Sequence, residues 1–468
     1  MAKASAQPAR GTRDFLPLDV RRRSYVTGII REVFERHAFE PLETPAIERL
    51  DALLGKYGDE GDQLLFKVLL RGQPLVEGIR DAAAHIADEG NLAQGRSGVV
   101  APRAEPLLSD LGLRYDLTVP LARVYAAHQG ALPPVFKRYQ IQPVWRADTP
   151  GKGRFREFYQ CDVDVVGSSS QVVEAEVIGA AAECMERLGF SEFTLRCNHR
   201  ALLRALILHA GIAPELETTA ITAIDKLDKV GTDGVASELA ERGISTEAAQ
   251  RLLGLLGERA ELSHLRRNLE GNVEGLKAIG EIERVLELSQ HTAAGAHLRF
   301  DATLARGLGY YTGCIFEAVV GDFAGSLGGG GRYDNLIGMF LGKQVPACGF
   351  ALGLERLLVV MADRGLYPAS LAELDVILAA ADDTRTTDAL KLARELRSAG
   401  LRVDLLPDAT SPGKLRKQAD ARGVGTAAWI EADQAQGCHA WTKTDGQTQR
   451  DLTPAALIEL VARTRAAR

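Results

Sequence analysis

Residues 135–166 constrain the fold most, because their side-chain pattern repeats every two residues. Alternate positions from Phe136 to Arg146 would share one face of a β-strand. Residues 149–153 (TPGKG) then contain the proline and glycines that are typical of a loop. A second alternating run follows this loop, so we predict an antiparallel hairpin with a long connection.

The side chains of the second run divide into a polar face and an apolar face. The polar face carries Arg154, Arg156, Phe158, Gln160, Asp162 and Asp164, and the apolar face carries Tyr159, Cys161, Val163 and Val165. One interpretation is an exposed pair of strands whose charges form ion pairs. The other is a binding site, in which arginines hold a polyanion, the phenylalanine holds a flat ring, and the amide and carboxylate fix a small polar ligand. The pattern alone leaves both interpretations open.

Helical periodicity marks several further regions. The apolar stripe at 19–38 and the run at 168–188, which opens on three serines and stops at a glycine, each predict a single helix. Residues 213–290 are almost wholly helical in pattern and poor in aromatic residues, so we predict a separate helical domain there. Residues 71–110 contain scattered Gly, Pro and Asn with a short helical patch at 79–87, and we interpret them as an insertion.

The rest of the chain predicts strands and a small final domain. Strand texture occupies 297–320, and an apolar strand-to-helix run occupies 346–362. Four glycines at 328–331 predict a strand turn where the backbone approaches another group closely, or only a flexible turn. The tail alternates in a pattern typical of an α/β domain: strand 374–380, helix 387–399, strand 401–405, helix 412–422 and strand 426–431. The predicted domains are 1–212 and 291–366 (two parts of one core), 213–290 and 373–468.

Composition limits the class of protein without deciding it. The chain has 468 residues, which at roughly 150 residues per domain suggests about three domains. Its 56 Lys and Arg against 62 Asp and Glu give a net charge of −6. This balance argues against a surface covered with phosphate-binding charge, but it leaves room for a local basic groove. With 46% hydrophobic residues, the chain is not wholly disordered.

The sequence lacks common signatures of metal and covalent chemistry. The six cysteines form no CxxC pair and the nine histidines show no HExxH spacing, so we expect neither a structural zinc site nor a disulfide framework. Residues 338–344 (GMFLGKQ) lack P-loop spacing, and the glycines at 423–425 follow a helix, which is the wrong order for a dinucleotide fingerprint. The N-terminus has no apolar signal segment and no run is long enough to span a bilayer, so we expect a cytoplasmic protein without a membrane segment.

Several motifs, in the same order along the chain, resemble those of the histidyl-tRNA synthetases, a family of class II aminoacyl-tRNA synthetases. The matching segments are 11–14 (GTRD), 39–45 (motif 1, ending in Pro45), 113–118 (LRYDLT), 145–148 with 153–158 (motif 2 and its loop), 305–308 with 310–313 (ARGL and YYTG) and 349–356 (GFALGLER, motif 3). The resemblance covers nearly all of the chain except about 71–110. It implies an α+β fold: a class II antiparallel sheet as catalytic core, with a helical insertion and a C-terminal α/β anticodon-binding domain.

The resemblance also implies an activity, the ATP-dependent ligation of L-histidine to its tRNA. The carboxylate of histidine would attack the α-phosphate of ATP, giving histidyl-adenylate and pyrophosphate, and the adenylate would then acylate the terminal adenosine of the tRNA. Both partners of the first step are anions, so its main requirement is charge neutralisation and in-line positioning. The implied ligands and partners are ATP with Mg²⁺, L-histidine, the histidine tRNA and a second copy of the chain, and no protein ligand to Mg²⁺ is assigned.

Carried over residue by residue, the resemblance implies a set of site residues. The catalytic residues would be Arg146 and Arg306, at the α-phosphate. The histidine-binding residues would be Asp116, Thr118, Arg146, Gln160, Asp164, Arg306, Tyr310 and Tyr311. The ATP-binding residues would be Arg146, Asp148, Arg154, Phe158 and Arg356. The ammonium would be held by Asp116, Thr118 and Gln160, and the imidazole by Asp164 and Tyr311 with Tyr310 nearby. We expect Asp164→Ala to abolish histidine activation and to leave the fold intact.

Two local basic stretches are compatible with tRNA binding. Residues 136–160 hold six basic and two acidic residues, and residues 391–422 hold eight basic and four acidic residues. Such stretches suit contacts to phosphates, although ordinary helix surface charge explains the second equally well.

The chain departs from the family pattern at Gly309, where the family usually carries an acidic residue. The missing carboxylate removes a contact, and the glycine would also loosen a strand. Two rival interpretations remain open. The first is a non-catalytic paralogue that serves as the histidine-sensing regulatory subunit of ATP phosphoribosyltransferase, but such paralogues lack the C-terminal domain and the signature arginine, which here are 373–468 and Arg306. The second, a tRNA-binding protein without catalysis, gives no reason for the arginines at 146, 306 and 356.

Overall fold

The computed structural model describes residues 5–88, 105–257, 260–306, 309–368, 371, 374–431 and 437–466. It divides into two compact units. The first comprises Met1–Phe15 and Arg23–Leu366, and the second comprises Leu16–Arg22 and Tyr367–Arg468. Within the described ranges, no helix is both long and apolar enough to cross a membrane.

Helices and strands alternate along most of the chain. The helices are α1 Pro17–Arg36, α2 Leu50–Leu53, α3 Gly58–Gln63, α4 Gln73–Asp88, α5 Glu105–Leu108, α6 Thr118–His128, α7 Val172–Arg187, α8 Arg200–His209, α9 Glu217–Ile224, α10 Leu227–Glu241, α11 Thr246–Leu256, α12 Leu262–Asn268, α13 Val273–Ser289, α14 Gly338–Leu341, α15 Leu354–Asp363, α16 Thr386–Ser398, α17 Pro412–Ala421 and α18 Pro454–Ala466. The strands are β1 Glu40–Pro41, β2 Ile47–Arg49, β3 Lys67–Leu69, β4 Ser109–Leu113, β5 Phe136–Trp145, β6 Glu157–Val166, β7 Thr194–His199, β8 Leu298–Phe300, β9 Cys314–Val319, β10 Gly328–Arg332, β11 Ala347–Gly353, β12 Val376–Ala380, β13 Val403–Leu405, β14 Thr426–Ile430, β15 Cys438–Thr442 and β16 Thr448–Leu452. The α+β fold class is therefore confirmed.

The first unit is built on a sheet whose described strands run in the order β1-β5-β6-β11-β10-β9-β7-β8. Neighbouring strands are antiparallel except for the outermost pairs, β1 with β5 and β7 with β8, which are parallel. The predicted hairpin is confirmed, with β5 and β6 paired from Phe136 opposite Val166 to Trp145 opposite Glu157. The second strand begins later than predicted, because Arg154 closes the connecting loop through a bridge to Gly151.

Burial decides between the two interpretations of the polar face. The apolar side of β6 packs against α7 and α15, and Cys161 and Val163 there are fully buried. On the polar side, Asp162 and Asp164 are only 2% and 3% exposed. Charged groups are buried this deeply only where they are paired or bind a ligand. The interpretation as an exposed pair of strands is therefore wrong.

The four glycines at 328–331 form an interior strand, not the predicted turn. They belong to β10, which pairs with β9 on one side and β11 on the other. A side chain at Gly329 would collide with the guanidinium of Arg306, and one at Gly330 would collide with the backbone oxygen of Gly349. The predicted close approach is therefore confirmed, and the glycines are there because both faces of the strand are crowded.

The helical block at 213–290 lies inside the first unit. Its last helix, α13, packs against α7 and α8. The ring Nε2 of His199, just before α8, lies 2.9 Å from Glu281 Oε2 on α13. Helices α9–α13 confirm, in the described residues, the helical texture predicted for 213–290.

The region predicted as an insertion contributes to a small second sheet. Strand β4 pairs antiparallel with β2 and β3. Helix α4 is longer than the predicted patch at 79–87. Residues 89–104 lie outside the described residues.

The second unit is a five-stranded sheet in the order β13-β12-β14-β15-β16. Helices α16 and α18 pack on one face, through buried residues such as Leu392, Leu396 and Leu457. Helix α17 covers the other face through Leu415 and Ala419. The predicted alternation of strands and helices is confirmed, but the sequence analysis missed the β15–β16 hairpin and α18.

Candidate active site

A cavity of about 390 Å³ opens over the polar side of the large sheet, and all twelve predicted site residues line it. They are Asp116, Thr118, Arg146, Asp148, Arg154, Phe158, Gln160, Asp164, Arg306, Tyr310, Tyr311 and Arg356. These residues come from the hairpin, the start of α6, the segment before β9 and the start of α15. Antiparallel pairing brings segments far apart in sequence to one surface, so the motifs meet although they span more than two hundred residues.

Asp164 is held rigidly at the floor of the cavity. Its carboxylate forms an ion pair with Arg138 (2.8 Å), whose side chain is fully buried, and Oδ1 accepts a hydrogen bond from the hydroxyl of Tyr333. Gly349 on the neighbouring strand leaves room for the carboxylate, since a Cβ there would collide with it. Burial raises the pKa of Asp164, while Arg138 and Tyr333 act to lower it.

The position of Arg138 corrects part of the tRNA prediction. We counted this residue in the basic stretch at 136–160 as a phosphate-binding charge. Its side chain is 0% exposed and pairs with Asp164 inside the protein, and Lys137 is bound to Glu176 at 2.7 Å. Alternation along a strand does not reveal which face is covered, and the pattern alone therefore predicts a surface charge at Arg138.

Asp116 lies two residues before the start of α6, and both of its carboxylate oxygens accept hydrogen bonds from protein donors. Oδ1 accepts the backbone N–H of Val119 (3.0 Å) and the hydroxyl of Tyr57 (3.1 Å). Oδ2 accepts the hydroxyl of Tyr310 at 3.5 Å. Burial raises the pKa of Asp116, and Val119, Arg146 and Tyr57 act to lower it.

Arg146 is fixed through its Nε and through its flat face. Nε donates to the backbone oxygen of Tyr115 (3.0 Å). The guanidinium carbon lies 4.2 Å from the centre of the Tyr115 ring and 5.2 Å from that of Phe158. This arrangement orients the side chain without using its Nη groups, which suits binding of an anion.

Arg306 and Arg356 bring further positive charge to the cavity. Arg306 Nη1 lies 3.5 Å from Glu317 Oε1, and Nε is buried without a hydrogen-bond partner in the described structure. Arg356 Nη1 donates to the backbone oxygen of Ser326 (2.5 Å). A cluster of arginines in one cavity is costly unless anions are bound there, so the cavity is suited to a phosphate chain.

The loop between β5 and β6 brings a further arginine, Arg154, to the cavity. Arg154 Nη2 pairs with Asp148 Oδ1 at 2.8 Å, and the arginine remains 56% exposed while Asp148 is largely buried. Asp148 therefore orients the side chain of Arg154 through this ion pair. The backbone oxygen of Asp148 also accepts Nε of Arg156 (3.1 Å), which fixes the loop.

The N-terminal segment packs onto the same loop. The N–H of Arg156 donates to the backbone oxygen of Gly11 (2.8 Å). The guanidinium of Arg13 lies between two rings, 4.4 Å from the centre of Phe15 and 4.3 Å from that of Phe155. Since Phe155 also lines the cavity, the opening segment supports one wall of the site.

Among the residues that line the cavity, four with ionisable side chains were not assigned to the site by the sequence analysis: Asp162, Asp225, Tyr333 and Glu355. Asp162 lies on the predicted polar face, and this signal could have found it. Glu355 precedes Arg356 and accepts the N–H of Tyr159 (3.0 Å). Burial raises the pKa of Glu355 to about 7. Asp225 and Tyr333 carry no sequence signal, because only the fold brings them to the cavity.

Gly309 does not loosen a strand, which corrects that expectation. It lies in an exposed turn between β8 and β9. A Cβ built there has no heavy atom within 4 Å. The two preceding signature residues, Gly307 and Leu308, lie outside the described residues.

A comparison of the sequence with known protein families identifies the family to which the chain belongs. The sequence model described as histidyl-tRNA synthetase matches residues 108–357, which is more than half of the chain. The chain belongs to the histidyl-tRNA synthetase family. Within this family it is 39% identical to the histidine–tRNA ligase of Gloeobacter violaceus, with 97% of each chain covered. It is 40% identical to the histidine–tRNA ligase of Christiangramia forsetii, with 91% of each chain covered.

Solved structures agree with this family assignment. The crystal structure of histidyl-tRNA synthetase from Nostoc sp. PCC 7120 matches with a TM-score of 0.77 and 29% identity, covering 98% of this chain and 100% of that one. A structure from Bacillus halodurans, described as an ATP phosphoribosyltransferase regulatory subunit/histidyl-tRNA synthetase, matches with a TM-score of 0.69 and 22% identity. At that identity the second match supports the fold alone.

Proposed function

We propose that the protein ligates L-histidine to its tRNA in an ATP-dependent reaction that proceeds through histidyl-adenylate. The observation that carries this proposal is one cavity that joins Arg146, Arg306 and Arg356 to the buried carboxylate of Asp164. Membership of the histidyl-tRNA synthetase family supports the same reaction. The two relatives named above are histidine–tRNA ligases, and the alignments cover 97% and 91% of their lengths.

In the first step a carboxylate oxygen of histidine attacks the α-phosphorus of ATP, and pyrophosphate leaves. The carboxylate is already ionised at neutral pH, so the step needs no general base. Arg146 and Arg306 hold the α-phosphate and the attacking carboxylate, and Arg356 and Arg154 hold the outer phosphates. Their guanidinium groups neutralise the repulsion between two anions and the charge that develops in the transition state.

Recognition of the imidazole depends on Asp164 and Tyr311. The ion pair with Arg138 and the hydrogen bond from Tyr333 orient Asp164 and act against the effect of burial on its pKa, so that it accepts a ring N–H. An apolar side chain in the same place would leave these buried polar groups without partners, which costs about 1–3 kcal/mol for each group. Sites of this kind reject analogues strongly.

In the second step a ribose hydroxyl of the terminal adenosine attacks the carbonyl carbon of the adenylate, an ester forms, and AMP leaves. The hairpin loop, which carries the exposed Arg154, would meet the acceptor end of the tRNA after pyrophosphate has left. We assign the second unit, with its basic stretch at 391–422, to binding of the anticodon region. This assignment rests on the family resemblance and on the local charge.

The nucleotide substrate is taken as ATP with Mg²⁺, which neutralises phosphate charge when bound. In the described part of the chain, no group of three or more His, Cys, Asp or Glu side chains is placed to hold a metal ion. Mg²⁺ needs no such group, since it commonly binds phosphates, waters and one or two carboxylates.

We also propose a homodimer in the cytoplasm. Motif 1, which ends in Pro45, supports the dimer, and Arg114 holds this motif in place through hydrogen bonds from Nη1 to the backbone oxygens of Thr44 (2.6 Å) and Pro45 (3.3 Å). The alternative, a regulatory subunit of ATP phosphoribosyltransferase, is less supported, because both Arg306 and the second unit are present.

Histidine-dependent exchange of pyrophosphate into ATP tests the proposed function. Purified protein is assayed with L-histidine and, separately, with each of the other standard amino acids. We expect exchange with histidine alone, followed by charging of histidine tRNA. Absence of exchange in a folded protein that still binds histidine would favour the regulatory alternative.

A further inference from the structure

A row of directly opposed residues crosses the large sheet next to Arg306. Arg196 on β7 lies opposite Glu317 on β9, and Glu317 lies opposite Gly329 on β10. Residues that are opposed in this way point to the same face of a sheet. Gly329 lines the cavity, and a Cβ there would collide with the guanidinium of Arg306. The guanidinium therefore lies over the glycine, beside the carboxylate of Glu317.

The carboxylate of Glu317 is divided between two arginines. Oε2 lies 3.4 Å from Arg196 Nη1, and Oε1 lies 3.5 Å from Arg306 Nη1. Glu317 also acts on Arg356: burial and the charge of Arg154 lower the pKa of Arg356, and the charge of Glu317 acts to raise it. A carboxylate this close to the arginines of a phosphate site competes with phosphate for them, unless another cation binds it.

Arg196 is held in place by partners on the side away from Glu317. Its Nε donates to Oδ2 of Asp301 (2.6 Å), and its Nη2 donates to the hydroxyl of Thr303 (2.9 Å). Although burial acts to raise it, hydrogen bonds from Thr303 and the charge of Arg196 hold the pKa of Asp301 below its usual range. The side chain of Arg196 is 13% exposed, and neither Arg196 nor Glu317 lines the cavity. Arg196 therefore binds Glu317 from outside the site.

We propose that Arg196 is a positioning residue for adenylation, which binds one oxygen of Glu317 and so leaves the guanidinium of Arg306 open to the α-phosphate. This rests on the proposed function. Without the positive charge of Arg196, both oxygens of Glu317 would be open to Arg306, and a bidentate ion pair would form. That pair would turn the guanidinium away from the phosphate and offset its charge. The loss would fall on the transition state, where charge develops at the α-phosphate, because Arg154 and Arg356 would still bind the outer phosphates of ATP.

The kinetics of histidine-dependent pyrophosphate exchange separate this role from a structural one. The wild-type protein is compared with Arg196→Met, which removes the charge, and with Arg196→Lys, which keeps it. We expect Arg196→Met to lower kcat by about 10- to 100-fold, somewhat less than the outright loss of a charge-stabilising donor. KM for histidine should change by less than about twofold, since no contact to histidine is removed. Arg196→Lys should recover most of the loss, and a variant that recovers none would overturn the proposal.

Arg299 provides a matched control on the next strand. It lies opposite Arg196 on β8, and its Nη groups donate to the backbone oxygens of Leu298 (2.7 Å) and Ala296 (2.8 Å). Arg299→Met removes the same charge from the same row and leaves the ion pairs of Glu317 in place, so kcat should change by less than about twofold. A loss comparable to that of Arg196→Met would show a general effect of charge and would overturn the proposal.

An Arg306→Ala background shows whether the effect passes through Arg306. Arg196→Met should cost no further rate in this background, because residues that act through one group are not additive. Equal losses with and without Arg306 would contradict the proposal. If Arg196→Met does not fold, Arg196→Gln, which keeps hydrogen-bonding capacity without the charge, takes its place. Wild-type protein without exchange would refute the proposed function and this proposal together, whereas an unchanged kcat in Arg196→Met would refute only the proposal.

Discussion

Replacing Gly329 by alanine tests whether the position of Arg306 determines the rate of adenylation. The three heavy atoms that a Cβ at this position would approach most closely all belong to the guanidinium of Arg306, at 2.8 Å for Nη2 and closer still for Cζ and Nη1. Ordinary van der Waals contact begins at 3.4 Å, so the guanidinium must withdraw by at least 0.6 Å at Nη2 and by more at Nη1. The atoms that must move are the end of a flexible side chain, and we therefore expect the fold to persist.

The expected loss of rate follows from this displacement. A shift on the order of 1 Å in a catalytic group can cost about 10²-fold in rate, and removing one donor that stabilises developing charge costs about 10²–10³-fold. We expect kcat of histidine-dependent pyrophosphate exchange to fall by about 10²–10³-fold in Gly329→Ala. Circular dichroism and thermal melting should stay close to those of the wild-type protein.

The neighbouring glycine provides a matched control. A Cβ at Gly330 would collide with the backbone oxygen of Gly349 on the paired strand, which cannot move without breaking the sheet. We therefore expect Gly330→Ala to lower the melting temperature or to prevent folding. Near wild-type exchange in Gly329→Ala would refute the reasoning about Arg306. An unfolded Gly329→Ala would show instead that the glycine serves the sheet rather than the site.

Three further predictions concern single side chains around the cavity. Asp164→Ala should destabilise the fold by about 3–5 kcal/mol, because it leaves Arg138 buried and unpaired. This corrects our expectation of an intact fold, and Asp164→Asn, compared with it by urea unfolding, should be the milder change. Burial raises the pKa of Glu355 from 4.5 to about 7, so the folded protein binds this proton more tightly than the unfolded chain. The resulting contribution to the free energy of unfolding, about 3 kcal/mol, is fully present below pH 4.5 and is lost as the pH rises through 7. Glu355→Gln should therefore lose less stability than the wild-type protein between pH 4.5 and 7.5 in urea titrations, and parallel pH dependences would contradict this. Finally, Arg13→Ala should raise KM for ATP severalfold with little change in the dissociation constant of histidine, since Arg13 packs on Phe155 of the cavity wall and on Phe15. Arg13→Lys, which keeps the cation, should recover part of the loss, and equal loss of histidine binding would argue against a local effect.

Local pattern was sufficient to predict the centre of the fold. The alternation on β6 placed Gln160, Asp162 and Asp164 on one face, and β5 and β6 pair antiparallel over their whole length, as the predicted hairpin requires. The resemblance added Arg306 and Arg356, which no periodicity could connect to the hairpin. These residues meet because antiparallel pairing places β9, β10 and β11 beside β6.

What the sequence could not reveal depends on contacts between distant segments. Tyr333 reaches Asp164 across 169 positions of sequence, and nothing near Tyr333 distinguishes it from a packing residue. Arg138 looked like a surface charge because alternation does not say which face is covered. The glycines at 328–331 looked like a turn because local propensity favours one, whereas crowding on both faces of β10 determines their conformation.

The placement of Arg138 explains how acidic and basic groups coexist in one cavity. Histidine is a zwitterion, so its site needs carboxylates for the cationic part and arginines for the carboxylate and the phosphates. If Asp164 were paired with Arg146 or Arg306, each group would cancel the other and neither would bind substrate. Arg138 is absent from the cavity lining and neutralises Asp164 from within the protein. The lining arginines therefore remain available for anions, and Asp164 keeps a fixed carboxylate for the imidazole.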